Sequence, residues 1–181
     1  MGRVAGDEEM VQVQVIGVRQ HLVDDEIVVL LLDPAAELFV PILIGPVEAS
    51  AIATAQAGIV TPRPMTHDLL QNVLAALDVE LERVEITELT DGVFHAALVL
   101  GTGARVDSRA SDAIALAVRT GSPVLCSAEV VAVAGVEAST KPAEQEMERF
   151  RRFLDEVTPE DFDAGDEGDE PPASGPRHGL P

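Results

Sequence analysis

A chain of 181 residues suits one domain with tails; 46% hydrophobic residues allow a real core, and 3% aromatics with no Trp and no Tyr leave that core to Val, Ile, Leu and Ala. A formal net charge of −20 opposes the basic face that nucleic-acid binders ordinarily carry. Asp7, Glu8, Glu9, Asp155, Glu156, Glu160, Asp161, Asp163, Asp166, Glu167, Asp169 and Glu170 cluster near the ends, so the total overstates repulsion at a central site without making that site basic.

Residues 1–9 hold no core material and are expected to be disordered, with the domain proper spanning 10–135. Val11, Val13 and Val15 alternate with Gln12 and Gln14, the period of a half-buried strand. Two further strands are expected at 27–32 and 38–44, joined by short acidic turns into a meander. Pro46 suits a first helical turn, and an Ala-rich helix over 47–57 stops at Gly58. Pro62 and Pro64 keep the next segment extended. Thr66 is the expected N-cap of a helix with Leu69, Leu70, Val73, Leu74 and Leu77 on one face.

A strand around 83–89, a hairpin turn at Asp91-Gly92 and a returning strand over 93–100 follow. After Gly101-Thr102-Gly103 a short strand over 104–107 leads to a helix capped by Asp107 or Ser108, burying Ile114, Ala117 and Val118 and ending at Gly121. A last strand over 123–126 holds Cys126, the single cysteine, which reads as an inert packed thiol. Residues 129–135 are ambiguous between strand and helical turn. A C-terminal amphipathic helix is expected at 141–158, with Met147, Phe150, Phe153 and Leu154 on one face, followed by a disordered acidic tail at 159–181. The fold class is therefore α+β: a largely antiparallel sheet of about six to seven strands with three packed helices. Met1 to Asp7 lacks the apolar core of a signal peptide and no run is long enough to cross a bilayer, so a cytoplasmic protein without membrane contact is expected.

Two polar clusters stand at helix starts: Arg63-Pro64-Met65-Thr66-His67-Asp68 and Asp107-Ser108-Arg109-Ala110-Ser111-Asp112. Helix N-termini offer free N–H groups and a favourable dipole for anions. These segments, with Pro41-Ile42-Leu43-Ile44-Gly45 and Glu48-Ala49 before them, resemble the bifunctional nuclease domain family over residues 10 to 135. The resemblance implies an α+β fold with a largely antiparallel sheet, assembly into a homo-oligomer, and nuclease activity on DNA and RNA. In the family the second cluster usually reads Arg-Pro-Ser-Asp, and Ala110 stands in place of that proline.

Phosphodiester hydrolysis needs an activated water, a charge clamp on the phosphoryl oxygens and, usually, divalent metal held by carboxylates. Arg63, His67, Asp68, Arg109 and Asp112 are the candidate catalytic residues; Arg63, Arg109 and Ser111 are candidates for substrate binding. Glu48, Asp107 and Asp112 are candidate ligands for Mg²⁺ or Mn²⁺. Each acid also has a structural reading, as an N-cap or a first-turn carboxylate stabilised by the helix dipole, with Arg63 and Arg109 pairing to them and bolting the two helix starts together. The alternative to a nuclease is a non-enzymatic oligomeric module that binds an anion or serves regulation.

Overall fold

The computed structural model describes residues 9–20 and 26–137. The expected C-terminal helix at 141–158, the acidic tail at 159–181 and most of the N-terminal segment lie outside these residues.

The meander forms as expected: β1 (Met10–Gln20), β2 (Ile27–Asp33) and β3 (Leu38–Leu43) pair antiparallel in sequence. Along β1 the alternation works as read, with Val13 buried and Gln12 and Gln14 exposed. A bulge between Val15 and Gly17 breaks the register with β2. Gly17 sits there at φ 139°, and a Cβ would stand 3.1 Å from Gln56 Oε1. That side chain reaches across from the first helix, its Nε2 donating to Val15 O at 3.2 Å.

That helix, α1 (Pro46–Gln56), begins at Gly45 with Pro46 in its first turn, and α2 (Thr66–Ala76) follows the proline-rich loop. Next come β4 (Leu81–Thr90) and β5 (Val93–Leu100), joined at Asp91 and Gly92, both with positive φ, the mirror-image turn whose twist matches a hairpin. The strand β6 (Arg105–Arg109) runs directly into α3 (Ala110–Thr120), which ends on left-handed Gly121. Then come β7 (Val124–Ser127), α4 (Ala128–Ala134) and β8 (Val136–Glu137). The ambiguous stretch after Cys126 resolves as α4, whose Val130 and Val131 are buried.

The described residues thus form an α+β fold with an eight-stranded, mostly antiparallel sheet in the order β6-β5-β4-β7-β1-β2-β3-β8 and four helices. The extra strand and helix over the expected numbers are α4 and the two-residue β8 on the edge of β3. One pairing, β4 with β7, is parallel. The core is aliphatic throughout: Val29, Leu31, Val40, Ile52, Val84, Ile86, Ile114 and Leu116 are all within 1% of full burial. Cys126 joins them, and burial, helped by Asp33, pushes its thiol up to about 12. It is a packing residue.

The helices differ in depth. Five consecutive residues of α3, Ala113 to Ala117, are buried, and its small side chains admit α1 alongside. By contrast α2 buries none of its residues. Leu69, Leu70, Val73 and Leu77, expected as its packed face, are 55%, 41%, 44% and 67% exposed. Leu74 alone of that series packs against the core.

Two helix starts fall one or two residues from where the residue types place them. The N-cap of α2 is Met65, not Thr66, because Asp68 reaches back and accepts the Met65 N–H at 2.9 Å. The N-cap of α3 is Arg109, not Asp107 or Ser108. Both of those residues are spent in the ladder with β5, Asp107 opposite Ala97 and Ser108 opposite Ala96. Strand pairing extends through Arg109, opposite His95, and only then does the chain turn into the helix.

Candidate functional site

Three helix starts meet around one cleft of about 440 Å³: that of α1 with Val47 and Glu48, that of α2 with Met65, Thr66 and His67, and that of α3 with Arg109 and Asp112. Arg109 is the hub. Its Nε donates to Asp112 Oδ2 at 2.6 Å and its Nη2 to Asp112 Oδ1 at 3.0 Å, a two-pronged pair in which the planar guanidinium matches the carboxylate. Its Nη1 donates to Glu48 Oε1 at 3.0 Å, tying α3 to α1. His67 Nε2 then donates to Asp112 Oδ1 at 3.1 Å, tying in α2. The chain Glu48–Arg109–Asp112–His67 therefore links residues drawn from three separate segments.

Burial alone would raise the Asp112 carboxyl, but the hydrogen bonds from Arg109 and His67 outweigh it, and the group ends below its ordinary value. Asp112 is thus an anion at neutral pH, and its side chain is 34% exposed against 15% for His67. The same contacts, Asp112 first, raise the already high pKa of Arg109. Gly45 leaves room for this geometry: a Cβ there would stand 2.5 Å from Glu48 Oε2, so a larger residue would make the end of the Glu48 side chain shift. Aliphatic side chains, Val47, Leu70, Leu98 and Leu116, line the rest of the cleft.

The remaining predicted residues are elsewhere. Asp68 lies one residue from His67 but belongs to a different contact: Arg119 Nε donates to its Oδ1 at 2.5 Å. That bond, followed by the Met65 N–H, lowers its carboxyl from the ordinary range. Arg119 is the residue that sequence reasoning missed. Its side chain is 5% exposed, and its Nη1 also donates to Ala115 O at 2.9 Å. The signal was present, since Arg119 lies seven residues after Asp112 and hence on the same side of an otherwise apolar helix. Arg63 is exposed in the loop before α2 and lines none of the three hollows. Ser111 is buried and faces a second hollow of about 460 Å³ on the other side of Glu48 and Arg109. A larger hollow of about 650 Å³, between the α2–β4 turn and the end of α3, contains none of the predicted residues.

Glu48, Asp107 and Asp112 do not make a preassembled cation site. Asp107 is exposed on β6 and lines neither the cleft nor the second hollow. Glu48 and Asp112 already share a guanidinium, a cation held between them. Among the described residues no three of His, Cys, Asp and Glu converge as metal ligands would.

A second arginine–carboxylate cluster stands away from the cleft. Glu85, buried on β4, accepts from Arg83 Nε at 2.7 Å and pairs with Arg105 Nη2 at 2.5 Å. Burial pushes its carboxyl up, and the two guanidiniums together bring it below its ordinary value. The pairs join β4 to the edge strand β6 and so brace the strand that delivers Arg109.

No helix among the described residues is long and apolar enough to cross a membrane. The chain is 40% identical over 163 residues to the uncharacterized protein MT1877 of Mycobacterium tuberculosis strain CDC 1551, covering 86% of this chain and 99% of the relative. The same figures hold for the uncharacterized protein Rv1829 of M. tuberculosis strain H37Rv. Residues 29–139, which contain all three helix starts of the cleft, match the model of the bifunctional nuclease domain. The chain belongs to the bifunctional nuclease domain family.

Proposed function

We propose that this protein is a nuclease that hydrolyses phosphodiester bonds of RNA and DNA at the cleft between the starts of α1, α2 and α3. The observation that supports the reading best is the linked set Glu48–Arg109–Asp112–His67 on the wall of that cleft. In this reading His67 is the general base, held by Asp112, which fixes its tautomer and balances the charge that forms on proton transfer. Arg109 is the phosphate clamp. A guanidinium has five N–H donors, of which Glu48 and Asp112 take three, and the Arg109 side chain is 66% exposed, so two donors remain for phosphoryl oxygens. Arg63, exposed at the approach to α2, adds long-range attraction for a polyanion rather than a contact inside the cleft. Asp68 holds α2 in place and so positions His67.

Family membership supports the enzyme class. Self-association is part of the reading, and the exposed Leu69, Val73 and Leu77 on α2 supply an apolar surface for it. The test is cleavage of labelled single- and double-stranded RNA and DNA by purified protein, with sedimentation of the same preparation to give its mass. Wild-type protein is expected to cut, and Arg109→Ala and Asp112→Ala to lose about 10²-fold or more. Full activity in both variants would remove the cleft from the mechanism.

A further inference from the structure

We infer that this cleft cleaves RNA by internal transesterification, with His67 taking the proton of the 2′-hydroxyl. The inference rests on the nuclease reading and narrows it: RNA is cut by transesterification, and DNA, which has no 2′-hydroxyl, only by slower attack of water at the same cleft.

Three features carry it. Ionised Asp112 can only accept a hydrogen bond, so the hydrogen of His67 is on Nε2, and Nδ1 is the lone-pair nitrogen able to accept a proton. His67 lines the cleft, and its side chain is 15% exposed; in this inference Nδ1 is the nitrogen a strand would meet there. Next, Arg109 lines the same cleft and has two N–H groups beyond the three that Glu48 and Asp112 take, donors for the oxygens of a phosphate beside the base. Finally, the carboxylates that would otherwise gather a cation to activate water are engaged by Arg109, and no ligand trio forms among the described residues. A base and a cationic clamp without such a trio suit a substrate that brings its own nucleophile, already tethered next to the phosphorus.

The chemistry closes without a co-reactant. The 2′-oxygen forms a bond to phosphorus while its proton passes to His67 Nδ1. The bond from phosphorus to the 5′-oxygen breaks, and that oxygen takes a proton from water in the open cleft. The products are a 2′,3′-cyclic phosphate and a 5′-hydroxyl, and His67 returns its proton to the hydroxide left in solvent. No Phe, Tyr or Trp lines the cleft, which leaves His67 as its one aromatic ring, and sequence preference is expected to be weak.

The test compares an RNA oligonucleotide with the same oligonucleotide carrying one 2′-deoxyribose, using the full chain with and without EDTA, and reads product ends by mass. The expected result is cleavage that survives EDTA, ends in cyclic phosphate, and falls at least about 10²-fold at the deoxy position. His67→Gln, purified in parallel and shown to melt like wild type, is expected to lose a similar factor. Products with 3′-hydroxyl and 5′-phosphate ends, loss of cleavage in EDTA, or equal cutting at the deoxy position would overturn the inference and leave the nuclease reading standing. Wild-type cleavage by His67→Gln would overturn it as well. No cleavage of RNA or DNA in EDTA, Mg²⁺ or Mn²⁺ would sink both.

Discussion

Arg109 and Arg119 stand at the two ends of α3, and each pairs with carboxylates at helix starts, Arg109 with Glu48 of α1 and Asp112 of α3 and Arg119 with Asp68 of α2, yet their surroundings give them opposite roles. The Arg119 side chain is 5% exposed; it donates to Asp68 and to Ala115 O and lines none of the three hollows. It works as a bolt, and a needed one, because α2 buries no residue of its own. Arg109 is 66% exposed, opens onto a cleft, and keeps donors to spare. The carboxylates are about equally exposed, Asp68 at 33% and Asp112 at 34%, so the arginines make the difference: an enclosed guanidinium fixes how α2 lies on α3, whereas an exposed one contributes little stability and can be kept for chemistry.

The sharpest way to break this comparison is to remove one member from each side and measure both activity and melting. His67→Gln is expected to lower cleavage by about 10²- to 10⁴-fold with little change in melting temperature, since it deletes a base at the cleft wall. Arg119→Ala should do the reverse. A fully enclosed ion pair broken on one side costs about 3–5 kcal/mol, but Asp68 is 33% exposed and can regain water, so about 2 kcal/mol is the better figure. For a domain of this size that lowers the melting temperature by about 8 °C, read by calorimetry. Residual activity per folded molecule would stay well above that of His67→Gln. If Arg119→Ala lost activity as deeply while folded, the two clusters would be one functional unit.

Acid sharpens the comparison next, because both clusters contain a carboxylate held below its ordinary value, 3.8 for an unperturbed Asp. For such a group the unfolded chain binds the proton first, so its stabilising contribution is complete above the unfolded value and is lost as pH falls through the lower folded value. Melting temperature is therefore expected to hold from neutral pH down to about pH 5 and to fall below about pH 4. Asp68→Asn should melt lower than wild type at neutral pH and converge toward it in acid. A difference independent of pH would assign the role of Asp68 to packing rather than charge.

How much of this was legible beforehand follows from the range of each interaction. Local signals read correctly: alternating valines for β1, Pro46 and Gly58 around α1, Asp91-Gly92 for the hairpin, Gly121 for the end of α3. Helix starts read less well, because the cap depends on partners. Nothing local to Asp107 and Ser108 says that β5 will claim both for its ladder. The site was legible as a set of residue types, and Arg109, Asp112, His67 and Glu48 do meet. The pairing inside the set was not. Asp68, adjacent to His67, is taken by Arg119 from 51 residues away, a contact fixed by how α2 lies on α3. The apolar stripe of α2 misled for a related reason, since periodicity reports that a face wants cover and not what covers it.

The smallest effect concerns Ala110 at the start of α3. Ala110 is the first helical residue, directly after the cap. That position tolerates proline best, because the N–H there has no partner within the helix and the fixed φ is already helical. Arg109 before it has φ −66° and ψ 144°, the extended conformation that a following proline imposes. Ala110 is 4% exposed but borders the second hollow, which offers room for the ring. Ala110→Pro is therefore expected to raise stability by about 0.4–1 kcal/mol, chiefly by restricting the unfolded chain. It should leave the Arg109–Asp112 pair in place, and with it the activity. A stabilised variant whose cleavage rate falls would mean that Arg109 has to move during turnover, and that the exposed cluster, unlike the bolt ten residues further on, depends on the freedom that alanine permits.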